Sequence, residues 1–193
     1  MNSNILIVGV GGQGTLLASV LLGNLALKKD YDVKLSEVHG MSQRGGDVQS
    51  NLRLSTDEIH SDLIAHGQAD LIISMEPMEA LRYVTYLSAN GCVVTSSKPF
   101  VNIPNYPDQA ALAAELDRLP HIVKLEIEKM AEELGNPKGS NMVLLGMAAP
   151  FLKILSADQL RRAISTIFAS KGEAVVESNL KAFDAGFNSV NKQ

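Results

Sequence analysis

Gly9, Gly11 and Gly14 stand at the spacing G-x-G-x-x-G in the run Gly9-Val10-Gly11-Gly12-Gln13-Gly14. An apolar stretch, Ile5-Leu6-Ile7-Val8, precedes the run and an apolar-rich helical pattern follows it. Strand, Gly-rich turn and helix in that order open a Rossmann-type βαβ unit. In that fingerprint Gly9 permits the tight turn, Gly11 admits an approaching group, and Gly14 lets the helix pack on the strand. The helix then aims unpaired N–H groups above the loop, a setting that favours an anion. Gly9, Gly11, Gly12, Gln13 and Gly14 are therefore candidate ligand-binding residues.

A second constellation lies in Ser36 to Gly46, SEVHGMSQRGG. Glu37 falls near the position where dinucleotide folds set an acid against a ribose. Ser42 and Gln43 are polar, Arg44 offers a planar five-donor fork for phosphate or carboxylate, and Gly45-Gly46 allows a backbone nest. Glu76 ends a buried strand and either contacts a ligand or caps the helix opening at Pro77. Ser140 and Asn141 are suited to capping a later helix. His39, His60, His66 and His121 lack metal-ligand spacing.

The elements that position these groups follow from periodicity. Strands are predicted at Ile5–Val8, Asp32–Glu37, Ala69–Ser74, Cys92–Thr95 and His121–Leu125. Asp47–Leu54 alternates, with Gln49, Asn51 and Arg53 on a polar face, and predicts a half-exposed strand. Ile59–Ile64 is predicted to return beside it, making an antiparallel hairpin inserted in a mostly parallel sheet. Helices are predicted from Pro77 through Leu87, with a turn at Asn90-Gly91, and over Asp108–Leu119 and Ile127–Leu134. Three more follow: Met142–Leu155, kinked at Pro150, then Ala157–Phe168, capped by Ser156, and Ala174–Phe187. Ser96–Pro107, with three prolines, is predicted as a surface connection. The expected architecture is α/β, Rossmann-like, one domain over 1–193, with C-terminal helices.

Composition narrows the function. The chain has 193 residues, 46% hydrophobic and 20% charged, with net charge −4 and no basic stripe, which argues against nucleic acid. No apolar run reaches membrane-spanning length and no signal peptide is evident, so a cytoplasmic location is expected. One cysteine, Cys92, cannot ligate an iron–sulfur cluster by itself. The chain carries no nucleophile elbow, no P-loop and no Cys/His dyad. A chain this poor in reactive groups needs a cofactor or another subunit for demanding chemistry.

GVGGQGTLLASVLLGNLAL, SEVHGMSQRGGDVQSNLRL, ADLIISMEPMEALR and NMVLLGMAA together resemble the gamma subunit or domain of the 2-oxoacid:ferredoxin oxidoreductases. EVHGMSQRGG is most similar to the arylpyruvate branch of that family. The resemblance covers nearly the whole chain. It implies ferredoxin-dependent oxidative decarboxylation of an arylpyruvate to an acyl-CoA and carbon dioxide. It also implies that thiamine diphosphate and the iron–sulfur clusters reside in a larger partner subunit, and that the fold does not bind NAD despite its fingerprint. Gly11 to Gly14 and Ser42 to Gly46 would then form a face over the partner's active site, with Arg44 near a substrate carboxylate or a coenzyme A phosphate. The residues taken alone leave two other readings open. One is a self-contained NAD(P)-dependent dehydrogenase with Glu37 on the ribose; the other is a nucleotide-sensing module.

Overall fold

Alternating side chains on six strands sort the apolar residues onto two faces of one sheet. The structure, a computed structural model, describes residues 2–40 and 45–190. The strands are β1 (Asn2–Val10), β2 (Asp32–His39), β3 (Asp47–Ser55), β4 (Ala69–Ser74), β5 (Leu87–Ser96) and β6 (Ile122–Leu125), in spatial order β2-β3-β1-β4-β5-β6. β1, β4, β5 and β6 run parallel; β3 is antiparallel to both β1 and β2. The fold is thus a mostly parallel α/β sheet with an antiparallel pair.

Ile5 and Ile7 of β1, Leu52 and Leu54 of β3, and Leu71 and Ile73 of β4 face the larger core cluster. That cluster is closed by α1 (Thr15–Leu27), α4 (Ile127–Glu133), α5 (Ser140–Ala148), α6 (Ala157–Phe168) and α7 (Glu173–Val190). Leu6, Val8, Ile72 and Val93 point the other way, onto a smaller cluster with α2 (Pro77–Arg82) and α3 (Gln109–Asp117). The period of two in the strands accounts for this division.

The antiparallel hairpin is β2–β3, not the predicted pairing of β3 with Ile59–Ile64. Residues 59–64 form no strand, and the N–H groups at the two ends of the segment are taken by side chains. Ile59 N–H donates to Asp32 Oδ2 (2.6 Å) and Ile64 N–H to Asn51 Oδ1 (3.2 Å). β3 is an interior strand because β1 and β2 flank it, and the 59–64 segment covers only part of its polar face, where Gln49 and Arg53 stay partly exposed. Asn51, expected on the polar face, is buried, and its Nδ2 has no hydrogen-bond partner.

Other boundaries move for local reasons. The helix from Pro77 stops at Arg82, a single 3-10 turn follows, and β5 begins at Leu87. The Asn90-Gly91 turn is instead an irregularity within β5, where the β4 register jumps from Ala69↔Leu87 to Leu71↔Cys92. α5 ends at Ala148 and Pro150 sits in a 3-10 turn. With no N–H to give, Pro150 stops the helix instead of kinking it. Gly139 is the N-cap of α5, with no side-chain cap. Ser140 and Asn141 are therefore its first helical residues, not its caps. Ser156 caps α6 as expected, in a reciprocal capping box with Gln159.

α5 and α7 cross with backbone touching backbone. A Cβ on Gly146 would lie 2.0 Å from the Phe183 carbonyl oxygen, and one on Gly186 2.0 Å from that of Val143. Gly186→Ala should therefore force the helices apart and cost roughly 1–3 kcal/mol, read as a lowered urea midpoint. Cys92 is buried in the larger core, and burial pushes its thiol up from 9.0 to about 11. Its neutral form contributes stability that is fully present below pH 9.0 and lost as pH rises through about 11. A thiol reagent at pH 8 should leave the folded chain unlabelled and modify one cysteine after denaturation.

Candidate functional site

β1 ends at Val10, and its ladder with β3 continues past the strands. Gly11 N–H donates to the Gly46 carbonyl (2.8 Å) and Gly45 N–H to the Gly11 carbonyl (3.5 Å). The Gly-rich loop and the Gly45-Gly46 pair are thereby joined side by side at the carboxyl edge of the sheet. Ligands bind open α/β sheets at this edge. Glu37 reaches the neighbourhood by a different route. β3 separates β2 from β1, which sets β2 about 10 Å from β1 at two strand spacings. Glu37 Oε1 accepts from Ser50 Oγ (2.9 Å), and Glu37 Oε2 lies 3.4 Å from His39 Nε2.

Gln13 shapes the loop: its side-chain oxygen accepts from Val10 N–H (2.7 Å), and its own N–H donates to the Val10 carbonyl (3.1 Å). Gly9 lies within β1, where a Cβ would come within 2.9 Å of both Gln13 Oε1 and Thr15 Cγ2. Close strand–helix packing therefore falls to Gly9 rather than to Gly14. Gly14 is the N-cap of α1 at φ 82°, a left-handed conformation that suits glycine. A Cβ there would meet the Asn141 side-chain nitrogen at 2.8 Å, so Asn141 brings the start of α5 against the start of α1. The first-turn N–H groups of α1 lack intrahelical acceptors by construction. They open onto a cleft of about 570 Å³ bounded by Gly11, Gly12, Gly14, Leu16, His39 and Val48. Ser42, Gln43 and Arg44 lie outside the described residues.

A strap that sequence reasoning treated only as a surface connection completes this edge. Glu76 is fully buried at the end of β4 and caps α2, accepting at Oε2 from Glu79 N–H (2.9 Å). Its Oε1 accepts from Phe100 N–H (3.3 Å) and from the Tyr106 hydroxyl. Glu76 is thus both cap and anchor for residues 97–107. The Tyr106 phenol is raised above its ordinary pKa by burial first, and then by its bond to the Glu76 carboxylate. The strap passes Asn102 to the site, where Nδ2 donates to the Gly45 carbonyl (2.7 Å). It also leaves Phe100 and Val101 exposed. Nothing in the sequence pattern marks Asn102 or Tyr106; the one signal is a run of prolines beside a buried acid.

α2 supports the same edge from below. Tyr83 hydroxyl donates to Asp47 Oδ2 (3.1 Å) at the start of β3. Burial, followed by the Asp47 charge, lifts the Tyr83 phenol above its ordinary pKa. Burial lifts the Glu79 carboxyl, with Arg82 Nε at 2.8 Å pulling it the other way. The remaining histidines stand apart from the cleft residues: His60 lies 4.0 Å from Glu58, and His66 stacks on Tyr86. Among the described residues no group of three His, Cys, Asp or Glu is placed to hold a metal ion.

The architecture is that of gamma components of 2-oxoacid oxidoreductases. A keto/oxoacid ferredoxin oxidoreductase gamma subunit from Geobacter sulfurreducens superposes with TM-score 0.72 at 23% identity, over 99% of each chain. A 2-oxoglutarate:ferredoxin oxidoreductase from Magnetococcus marinus, solved with 2-oxoglutarate, coenzyme A and succinyl-CoA, gives TM-score 0.78 at 19% identity. All of this chain is covered in that match, but it spans only 31% of the larger chain. Residues 4–189 match the family model described as pyruvate ferredoxin/flavodoxin oxidoreductase, and the chain belongs to that family. Among curated relatives, indolepyruvate oxidoreductase subunit IorB of Pyrococcus horikoshii is 40% identical, covering 95% of this chain and 93% of its own length. The subunit of the same name from Methanothermobacter thermautotrophicus is 36% identical over 98% of each.

Glu76→Ala should leave the buried Glu79 N–H without its acceptor and release Phe100 N–H and the Tyr106 hydroxyl, costing roughly 1–3 kcal/mol. Amide exchange should quicken at Phe100 while the β1 amides stay protected. Uniform loss of protection would mean that Glu76 supports the whole sheet rather than the strap.

Proposed function

We propose that this chain is the accessory subunit of a ferredoxin-dependent 2-oxoacid oxidoreductase that acts on indolepyruvate or a related arylpyruvate. The reaction is oxidative decarboxylation to the acyl-CoA and carbon dioxide. The observation that carries the reading is full-length similarity, at 32–40% identity, to four subunits named for indolepyruvate oxidoreductase. Relatives named 2-oxoglutarate synthase subunit KorC match at 24–28%.

In this reading thiamine diphosphate and the iron–sulfur clusters belong to a larger partner subunit, and ferredoxin reaches the complex through that partner. An iron–sulfur cluster takes four thiolates. This chain has one cysteine, buried with its thiol pKa raised, so its residues do not fit a cluster. No described helix is long and apolar enough to cross a membrane. A cytoplasmic location fits the single free cysteine.

The chain's own contribution is a face made by Gly11, Gly12, Gln13 and Gly14 with Ser42, Gln43, Arg44, Gly45 and Gly46. Backbone N–H groups at the start of α1 and the Arg44 guanidinium give that face a positive character. It would sit over the substrate carboxylate or a coenzyme A phosphate held in the complex. The self-contained NAD(P) reading is less well supported, because β3 separates Glu37 from the glycine loop and Ser50 already occupies its carboxylate.

The test is to rebuild the complex with Arg44→Ala. The apparent KM for the 2-oxoacid or for coenzyme A should rise about tenfold, the loss of roughly one charge-assisted hydrogen bond. Unchanged turnover with both affinities unchanged would remove Arg44 from the site. Saturable NADH binding by the isolated chain would overturn the subunit reading itself.

A further inference from the structure

The carboxyl end of β2 sets two ionisable side chains on one face of the sheet. Glu37 and His39 are two residues apart on the strand, so both lie on the same face. Their partners in β3, Ser50 and Val48, pair in turn with Ile7 and Gly9 of β1. Ile7 belongs to the larger core, on the α1 side. His39 bounds the glycine cleft, and among the described residues that do so it is the one with an ionisable side chain. Leu16 and Val48 are apolar, Thr15 is buried, and the others are glycines.

Glu37 is not among the residues that bound the cleft. Its side chain is 20% exposed, against 56% for His39. Both of its oxygens are engaged. Oε1 accepts from the Oγ of fully buried Ser50, and Oε2 stands at ion-pair distance, 3.4 Å, from His39 Nε2. Ser50 therefore fixes the carboxylate, and the carboxylate faces the ring. The backbone under the ring is held as well: His39 pairs with Val48, and Gly40 N–H donates to the Asp47 carbonyl (3.0 Å). α1, on the same face, carries no charge. Asp47 turns its Oδ2 to Tyr83, which belongs to the smaller cluster on the opposite face.

At the end of the second strand an imidazole, not an acid, is thus what the cleft meets. A bare carboxylate there would accept from a ribose hydroxyl and repel an anion. An imidazole offers a donor instead, and one lying between a carboxylate and an anion donates from both ring nitrogens. We infer that His39 contacts the anionic group of the substrate bound at the glycine face, a phosphate or a carboxylate, and that Glu37, held by Ser50, is its positioning residue. The pair makes the cleft selective for an anion over a ribose hydroxyl. This rests on the subunit reading above, and it adds a side chain from β2 to a face otherwise drawn from the glycine loop and the residues that open β3.

The experiment uses the complex rebuilt with the thiamine-diphosphate subunit of the same source organism. This chain enters it as wild type, His39→Ala, Glu37→Gln, the two combined, and His60→Ala. His60 lies 4.0 Å from Glu58 with both side chains 82% exposed, a like pair away from the cleft. Coenzyme A is titrated calorimetrically into each complex without 2-oxoacid, and the apparent KM for the arylpyruvate is measured by turnover. A phosphate contact shows in the first constant, a carboxylate contact in the second. His39→Ala should weaken one of the two about tenfold, the loss of one charge-assisted hydrogen bond, with an unchanged urea midpoint of the isolated chain. Glu37→Gln alone should weaken the same constant by less. Adding Glu37→Gln to His39→Ala should recover part of the loss, because the uncovered carboxylate no longer repels the anion. His60→Ala should match wild type. Wild-type values for both substrates in His39→Ala overturn the inference and leave the subunit reading intact. So does a double variant equal to or worse than His39→Ala, which would mean that Glu37 does not act through the ring. A wild-type chain that neither assembles with that subunit nor supports its turnover overturns the subunit reading, and the inference with it.

Discussion

The insertion of β3 between β1 and β2, antiparallel to both, is the constraint on which the rest of the structure depends. In a doubly wound sheet made only of crossovers, the acid ending the second strand lies next to the glycine loop. Here a reversed strand takes that place. Its beginning, not the end of β2, is what arrives beside the loop, so Gly45 and Gly46 exchange hydrogen bonds with Gly11. The same insertion moves Glu37 one strand outward and gives it Ser50 as a partner. A fingerprint shared with nucleotide-binding folds is thereby set in surroundings that present backbone amides without the ribose-binding acid alongside.

Interior polar residues then hold the edge in place. Glu76 is the clearest case: one buried carboxylate caps α2 and receives donors from two points on the 97–107 strap. Removing a carboxylate from water is costly unless its lone pairs are satisfied, and here three donors do so. The strap in turn brings Asn102 to the Gly45 carbonyl. Order in the glycine pair therefore depends on a side chain nearly sixty positions further along, a coupling that no local pattern could announce.

Much of this was legible beforehand. β4 falls on the predicted residues 69–74, because a short apolar run bounded by turn residues has few alternatives. α6 starts at its predicted cap, because Ser156 and Gln159 satisfy each other locally. The resemblance to the gamma components rested on motifs and was met by the family match over residues 4–189. What failed to show was long-range. Residues 59–64 have strand composition, but the N–H groups of Ile59 and Ile64 are claimed by Asp32 and Asn51. The alternation of β3 predicted a solvated face; the covering segment buries Asn51 of it and leaves Gln49 and Arg53 partly exposed. Asn90-Gly91 reads as a turn, yet the pair lies within β5, where a Cβ on Gly91 would stand 2.7 Å from the Ala69 carbonyl oxygen. Partners distant in sequence decided each of these cases.

The crossing of α5 and α7 also governs when this molecule can become itself. α5 is almost entirely apolar and packs against the last helix of the chain through a glycine on each side. As the polypeptide leaves the ribosome, Met142 to Met147 emerge about thirty residues before their cover. At ordinary elongation speeds that interval lasts a few seconds. During it the apolar side chains of α5 lack the helix that covers them. The sheet face that α5 covers is therefore complete only once α7 has packed on it through Gly146 and Gly186.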